Sequence, residues 1–390
     1  MSGQGTRSWE GTRAILLRTD AGIGGIERAS RSLTTALVDL LGPGRVGFLS
    51  VWSSTMPPPC RVLFTGDTEG GGRVSIDTRL QFVLQTFRHA IAWRRGLVIV
   101  ACHPHLGATA WLGHVVSRAP YAVWCHGEES WGKLRTTVRF SLRHARIVFA
   151  PSSFTAGRVE IGAGLPANSV HVLPHCLTPE LMVGRDPATR SPHLVLTVAR
   201  LVPEHRYKGI DTLIGAWPQV LSAVPDAELI VVGDGADRDY LEQLSDRLGV
   251  RASVQFLGAV DDGELVRHYR RTAIFALPSR TRLDPKPEGE GFGLVYLEAG
   301  ASSCAVVAAQ GGALPEVVVA NETGLLVDLD QPGELSAALI QLLLDSQLTY
   351  RLGANAKRHV STKHGYPLFR ARVEDLLERL TQSSPTSSAS

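Results

Sequence analysis

Short apolar runs of strand length alternate with segments of helical period along most of the chain. Between about Arg13 and Leu173 the runs read AILLR, VGFLSV, LVIVA, YAVWC, RIVFA and VHVL. The rhythm restarts after the polar, proline-containing stretch Gly184 to Pro192, with HLVLTVA, AELIVV, SVQFLG, AIFALP, CAVVAA and GLLV. Such alternation predicts a parallel sheet with crossover helices, and the restart predicts a second sheet. The 390 residues are also more than one hydrophobic core usually organises. The expected organisation is an α/β chain with one domain over 1–187 and another over 193–365. A helical stretch over 366–380 carries Leu368, Val373, Leu376, Leu377 and Leu380, an apolar face that needs a partner and is expected to pack back on the first domain. The Ser-, Thr- and Pro-rich tail, 381–390, cannot bury apolar area and is expected to be disordered. Parallel sheets bind ligands at the carboxyl ends of their strands, so a cleft where two such ends face one another is the expected place for chemistry.

Charge narrows the partners. Lys and Arg number 40 against 37 Asp and Glu, a formal +3 that is too mild for wholesale nucleic-acid binding. Any basic partner surface must be local, and one candidate is Lys133 to Arg146, read as a helix. Its Leu134, Val138, Leu142 and Ala145 share an apolar face, while Arg135, Arg139, Arg143 and Arg146 follow one position later as a basic stripe. That stripe is expected to contact anionic phospholipid or the diphosphate of a lipid-linked acceptor. Five scattered cysteines lack the spacing of a zinc or redox site and fit a reducing cytoplasm. No signal peptide is read at the N-terminus, and no run approaches the roughly 18 apolar residues that span a bilayer. The expected location is cytoplasmic, with peripheral contact at the inner face of the membrane.

The strongest chemical constellation is Glu290-Gly-Phe-Gly-Leu-Val-Tyr-Leu-Glu298, which follows the strand AIFALP and runs into a helix. One carboxylate sits in a glycine-flanked loop and the other lies on the helix, so one can meet a ligand's reactive end while the other grips a remote part. Amides at the helix start offer an anion site. The bland alternative makes Glu290 a capping acid and Glu298 a solvated helix residue. A second constellation opens the second domain: strand HLVLTVA, Arg200, a polar loop, then Lys208-Gly209 before a helix. An Arg fork and a Lys point charge suit a diphosphate. Gly233 and Gly235 after AELIVV, and Gly258 to Val260 after SVQFLG, can open space for a nucleoside, although tight turns explain them as well. Gly311 and Gly312 can wrap a phosphate or a sugar.

The ordered set VARLVPEHRYKGID, VVGDG, VQFLGAV, ALPS, EGFGLVYLEA, GGALPEVV and NETGLLV, over about Ser191 to Val327, resembles the retaining glycosyltransferases of family 4, glycosyl transferases group 1. The resemblance implies the GT-B fold, two Rossmann-like parallel-sheet domains facing across a cleft, with the acceptor on the N-terminal side and a nucleotide-sugar donor on the C-terminal side. It implies transfer of a hexosyl group, mannosyl slightly favoured, to a hydroxyl of a glycan or lipid-linked acceptor in cell-surface polysaccharide assembly. No cofactor and no metal are expected to be required, because cationic side chains and helix amides can do what magnesium does elsewhere and no metal-ligand spacing surrounds the glutamates. By the same resemblance Arg200 and Lys208 bind the donor diphosphate, Glu298 the ribose hydroxyls, and Glu290 the hydroxyls of the transferred sugar. Backbone amides at Phe292, Gly293 and Leu294 contact sugar and phosphate, and Gly233 and Val260 line the nucleoside pocket. The first domain matches at Gly22-Ile-Gly24-Gly25-Ile-Glu27, with Gly24 and Gly25 beneath the phosphates, and at His126-Gly127-Glu128, with His126 touching the sugar. His103 and His105 after LVIVA are further candidates for the cleft. Where the family commonly has a Pro-Asn-Gly turn, this chain has Pro174-His175-Cys176.

Three other readings compete. A dinucleotide-binding oxidoreductase needs GxGxxG, which fails because position 27 is Glu and position 238 is Arg. A sugar-nucleotide epimerase or hydrolase of the same fold, and a non-catalytic sugar-nucleotide-binding regulator, share the phosphate-binding residues and separate only by product analysis.

Overall fold

The computed structural model describes residues 9–19, 24–52, 60–66, 74–177 and 191–382. They form two compact units, Met1–Cys176 with Tyr366–Ser390, and Leu177–Gly365.

The first unit holds a seven-stranded sheet of β1 (Arg13–Arg18), β2 (Val46–Ser50), β3 (Arg61–Thr65), β4 (Leu97–Ala101), β5 (Tyr121–Trp124), β6 (Ile147–Ala150) and β7 (His171–Val172). All pairs are parallel, in the order β3-β2-β1-β4-β5-β6-β7. Helices α1 (Gly25–Leu41), α2 (Ile76–Ala92), α3 (Gly107–Ser117), α4 (Thr136–His144) and α5 (Ser153–Ala163) make the crossovers. Alternate strand residues part to opposite faces, as the pleat requires. Ile15, Leu17, Ile99 and Val123 pack with Phe82, Ala110, Val138 and Val159 from α2 to α5. Ala14, Leu16, Val98 and Trp124 pack with Leu33 and Leu37 of α1. Ser75 and Ser152 start α2 and α5 by accepting the N–H groups of Thr78 and Thr155 at 3.0 and 3.1 Å.

The second unit repeats the plan with β8 (Ser191–Val198), β9 (Glu228–Val232), β10 (Val254–Gly258), β11 (Thr272–Leu277), β12 (Ala305–Ala309) and β13 (Gly324–Val327). Its parallel order is β10-β9-β8-β11-β12-β13. The helices are α6 (Ile210–Ala223), α7 (Arg238–Arg247), α8 (Asp262–Arg271), α9 (Leu294–Ala301), α10 (Glu334–Leu344) and α11 (Ser346–Lys363). In both sheets the strand order reverses beside the first strand of the unit, and loops leaving the strands at that switch point form a natural crevice.

The last helix, α12 (Tyr366–Thr381), belongs to the first unit. Phe369, Val373, Leu377 and Leu380 join the core over α1, and the Tyr366 hydroxyl bonds Asp39 of α1. The buried face takes Phe369 in place of Leu368, which stays 36% exposed.

Several expectations shift. The first compact unit ends at Cys176 rather than 187, and Pro192 is the second residue of β8 rather than linker. Residues 178–190, most of the tail, and Gly22 lie outside the described residues. The strand β3 was not foreseen; it is a partly exposed edge strand, so its apolar signal is weak. The helix read over Lys133 to Arg146 covers only Thr136–His144. Arg135 is its cap at ψ 144° and Ala145 is extended at ψ 141°, because the chain must straighten to enter β6. Among the described residues, no helix is long and apolar enough to cross a membrane.

Candidate functional site

In the second unit, Arg200 follows β8, Gly233 follows β9, Val260 follows β10 and Ser279 follows β11, so all four sit at carboxyl ends of strands. The loop after β8 runs through a short 3-10 turn, Pro203–Lys208, to Gly209, whose φ of 72° needs glycine. A Cβ there would lie 2.4 Å from the Pro278 carbonyl oxygen, so this loop presses directly on the one after β11. The N–H of Arg280 also donates to the Tyr207 carbonyl at 2.7 Å. The Arg280 guanidinium in turn holds Asp330 and the Leu329 carbonyl at 2.9 and 2.8 Å.

That close approach brings two of the expected residues together. Lys208 Nζ donates to Glu290 Oε1 at 2.6 Å, with only 17% and 12% of the two side chains exposed. The Ser279 hydroxyl donates to the same oxygen at 3.2 Å. Behind it, the Tyr296 hydroxyl donates to the Leu277 carbonyl at 2.7 Å and lies 3.3 Å from Ser279 Oγ. Burial, with the Glu290 charge adding to it, pushes the Tyr296 phenol well above its ordinary range, so it remains a donor. The capping role for Glu290 is not what forms: Gly293 is the N-cap of α9 at φ 95°, and Glu290 pairs with Lys208 and Ser279.

Glu298 is buried at 4% exposure rather than solvated, and its Oε2 accepts from Tyr269 of α8 at 3.1 Å. Phe292, Gly293 and Leu294 are buried at the start of α9, where the Tyr296 N–H donates to the Gly293 carbonyl at 3.1 Å. Val260 is half-buried against the core. Gly233 donates its N–H to the Gly258 carbonyl at 2.8 Å, and a Cβ on it would lie 1.8 Å from the Ala199 carbonyl oxygen. Close loop packing therefore explains that glycine by itself.

Arg200 is exposed. It lines a small recess with His205, Arg206 and Asp237, and these neighbours were not foreseen. Arg206 grips Asp237 through two bonds of 2.7 and 2.8 Å and stacks 4.5 Å over the Tyr240 ring. The bracket pins the loop to the start of α7. Half-buried His205 is held neutral, first by burial and then by the charges of Lys208 and Arg200 against an opposing pull from Glu290. Its Nδ1 is buried without a hydrogen-bond partner. The signal for both was present in the polar run EHRYKG, but nothing in it says which cations face Asp237 and which face outward.

The first unit gathers a different set. Gly24 and Gly25 open α1, and a Cβ on Gly24 would meet nothing within 4 Å. After β5, Glu129 folds back so that one carboxylate oxygen accepts the N–H groups of His126 and Gly127 at 2.6 and 3.0 Å. The His126 ring is buried against Trp124 and stacks on His175 at 5.7 Å between centroids. Its Nε2 meets the Cys102 carbonyl at 2.8 Å, so Nε2 carries the proton. Nδ1 is then a buried acceptor without a partner. Burial lowers the His126 pKa, and His103 after β4 falls to about 4, chiefly by burial, with His126 and His105 adding to the effect. His105 is exposed and its N–H donates to His103 Nδ1 at 3.2 Å. Arg135, Arg139 and Arg143 are all exposed, with Arg143 donating to the Gly164 carbonyl at 3.2 Å. Only Arg139 and Arg143 lie on α4.

Comparison with known proteins agrees with this architecture. Residues 186–359 match the family described as glycosyl transferases group 1. A GDP-mannose-dependent alpha-(1-6)-phosphatidylinositol monomannoside mannosyltransferase of Mycobacterium tuberculosis is 33% identical over 269 residues, which are 65% of this chain and 68% of that protein. A GDP-mannose-dependent monoacylated alpha-(1-6)-phosphatidylinositol monomannoside mannosyltransferase of Corynebacterium glutamicum is 38% identical over 183 residues, 46% of this chain and 45% of the relative. Among solved structures, Anabaena HepE in complex with UDP and glucose superposes with a TM-score of 0.76 at 21% identity, covering 94% of this chain and 99% of the other. A sucrose-phosphate synthase from Thermosynechococcus elongatus gives 0.77 at 20% identity, covering 95% and 99%. At these identities the structural matches speak for the fold alone, which is GT-B.

Proposed function

Because the chain belongs to the glycosyl transferases group 1 and is a glycosyltransferase, we propose that it moves a mannosyl group from GDP-mannose to a hydroxyl of a lipid-linked acceptor. The donor choice and a phosphatidylinositol-based acceptor follow the names of the relatives; a glycan of cell-surface polysaccharide assembly is the wider acceptor class. The observation that carries the reading is the Lys208–Glu290 pair at the switch point of the second sheet, with exposed Arg200 on the same loop and the start of α9 following Glu290.

In this reading Arg200, Lys208 and the amides of Phe292, Gly293 and Leu294 take up the charge of the departing diphosphate, the main catalytic contribution. Glu290 would orient sugar hydroxyls, Glu298 the ribose, and Gly233 and Val260 would border the nucleoside. Gly24 and Gly25 would lie near the phosphates, and His126 Nδ1, an acceptor only, would take a proton-bearing sugar hydroxyl. The configuration at the anomeric carbon would be retained, with the diphosphate helping to take the acceptor's proton and no covalent glycosyl-enzyme. Cationic side chains would do the work that magnesium does elsewhere. The protein would act at the cytoplasmic face of a membrane, with Arg135, Arg139 and Arg143 attracted to anionic phosphates.

A panel of sugar nucleotides, scored by protection against thermal unfolding and then by product analysis with acceptor and chelator present, tests the reading. GDP-mannose should protect best, and mannosylated product should form in chelator. Protection by no sugar nucleotide, or product only when a divalent metal is restored, would replace the scheme. Donor consumed equally without acceptor would point to the epimerase or hydrolase alternative, and binding without turnover to the regulator.

A further inference from the structure

The two glutamates of the second unit are each backed by a buried tyrosine, and the two tyrosines meet on one phenylalanine. Tyr269, near the end of α8, donates its hydroxyl to Glu298 Oε2 at 3.1 Å. Tyr296 of α9 lies 3.3 Å from Ser279 Oγ, the hydroxyl that donates to Glu290 Oε1. Between the tyrosines stands Phe275 of β11, its ring centroid 5.9 Å from that of Tyr269 and 5.6 Å from that of Tyr296, the second pair edge-on at 88°. Both spacings suit favourable aromatic pairs, and all three rings are buried.

The backbone around these rings is fixed as well. The Cys304 thiol, just before β12, lies 3.3 and 3.4 Å from the carbonyls of Tyr269 and Thr272 and shares its one hydrogen between them, closing the end of α8 onto the sheet. A Cβ on Gly293 would lie 2.5 Å from the Tyr296 ring, so that ring sits directly against the N-cap of α9. A buried tyrosine hydroxyl needs a partner, and a backbone carbonyl suffices, as Leu277 does for Tyr296. Tyr269 instead gives its hydrogen to a carboxylate that is itself buried. If packing were the only demand, phenylalanine would meet it at both positions with no polar atom to satisfy.

We propose that Tyr269 and Tyr296 are positioning residues for a nucleotide sugar, joined through Phe275. Tyr269 aims Glu298 at the ribose hydroxyls, and Tyr296, through Ser279, aims Glu290 at the transferred sugar. The assignment rests on the donor reading above and adds to it the groups that set selectivity. A carboxylate free to rotate gains little from a ligand hydroxyl over water, because ordering it costs much of what the bond returns. One held by a hydroxyl donor keeps its other lone pairs in fixed places, so an analogue lacking the ligand hydroxyl leaves them unpaired and is rejected. The two tyrosine hydroxyls therefore serve different ends of the donor, while the Phe275 ring serves both.

The test is calorimetric titration of the full chain, without acceptor, with pyrophosphate, 2′,3′-dideoxy-GDP, GDP and GDP-mannose. The preference for GDP over dideoxy-GDP reads the ribose contact, and the preference for GDP-mannose over GDP reads the sugar contact. Tyr269→Phe should cut the ribose preference about tenfold and leave the sugar preference and pyrophosphate binding unchanged. Tyr296→Phe should cut the sugar preference about fivefold and leave the ribose preference unchanged. Phe275→Leu, or the milder Phe275→Met if that chain does not fold, should lower both. Added to Glu298→Gln, Tyr269→Phe should cost the ribose preference nothing further, because the hydroxyl acts through that carboxylate. A folded Tyr269→Phe protein with the wild-type ribose preference would overturn the proposal. So would a tyrosine variant that loses both preferences and pyrophosphate binding together, the mark of a general loosening, or a Phe275 variant that keeps both preferences. Wild type that binds none of the four ligands would overturn the donor reading and the proposal with it, a failure visible before any variant is made.

Discussion

The two units share one topology and place their polar clusters at the same edge of the sheet, yet they treat charge in opposite ways. In the second unit, Lys208 meets Glu290 and Arg206 meets Asp237 within hydrogen-bond distance. In the first, burial drives His126 and His103 towards the neutral form, His126 stacks on His175, and Glu129 is spent on backbone N–H groups. A multiply charged diphosphate needs fixed cations, whereas a neutral sugar hydroxyl needs a fixed acceptor that water has left. Topology decides where the clusters form, and loop chemistry decides which kind of group each can receive.

The sharpest way to break the contrast is to remove one charge from the paired set. Lys208→Ala leaves Glu290 largely buried and without its cation, which should destabilise the second unit by about 3–5 kcal/mol. Adding Glu290→Gln to it should recover part of that loss in thermal unfolding. A Lys208→Ala protein as stable as wild type would mean that the pair does not brace the second unit. Arg200→Ala separates function from stability, because Arg200 is exposed. Turnover should fall by about 2–4 kcal/mol of barrier, roughly 30- to 1000-fold, while stability moves by less than about 0.5 kcal/mol. Near-normal kcat/KM would remove Arg200 from the diphosphate site.

The first unit should instead answer to pH. His103 has a pKa of about 4 when folded against 6.5 in the open chain, so protons favour unfolding. Its contribution is fully present above about pH 6.5 and is lost as pH falls towards 4, up to about 3 kcal/mol in all. His103→Gln should flatten the unfolding temperature of this unit across that window. An equally steep fall in the variant would assign the acid sensitivity to other groups.

What the sequence made legible follows the same divide. The second unit was readable because its strands are long apolar runs and its charged residues sit in glycine-bearing loops directly after them, as with Arg200, Lys208 and Glu290. The partners that fix those residues were not: Ser279 reaches Glu290, and Tyr296 reaches Ser279, only once β11 and α9 fold side by side, and Arg206 meets Asp237 across 31 residues. In the first unit, His126 was visible as a histidine after a strand, but its tautomer depends on a carbonyl 24 residues away. The basic stripe over Lys133 to Arg146 was drawn too long because periodicity ignores the turn needed to enter β6.

The smallest effect probes how firmly the neutral cluster is held. Glu129 accepts the N–H groups of His126 and Gly127 on one oxygen, and its charge opposes the lowering of the pKa of both His126 and His103. Glu129→Gln keeps an oxygen for those amides but gives up the charge, at a cost of about 1 kcal/mol in the stability of the first unit. With that charge gone, the His103 titration followed by nuclear magnetic resonance should move to still lower pH, and the acid limb of stability should extend with it. If Glu129 positions His126, kcat/KM should also fall by about fivefold, and Glu129→Asp, one methylene too short to reach back, should not restore it. A His103 titration at the wild-type position in Glu129→Gln would show that the carboxylate does not govern this cluster, leaving burial and ring stacking as what holds His126 in place.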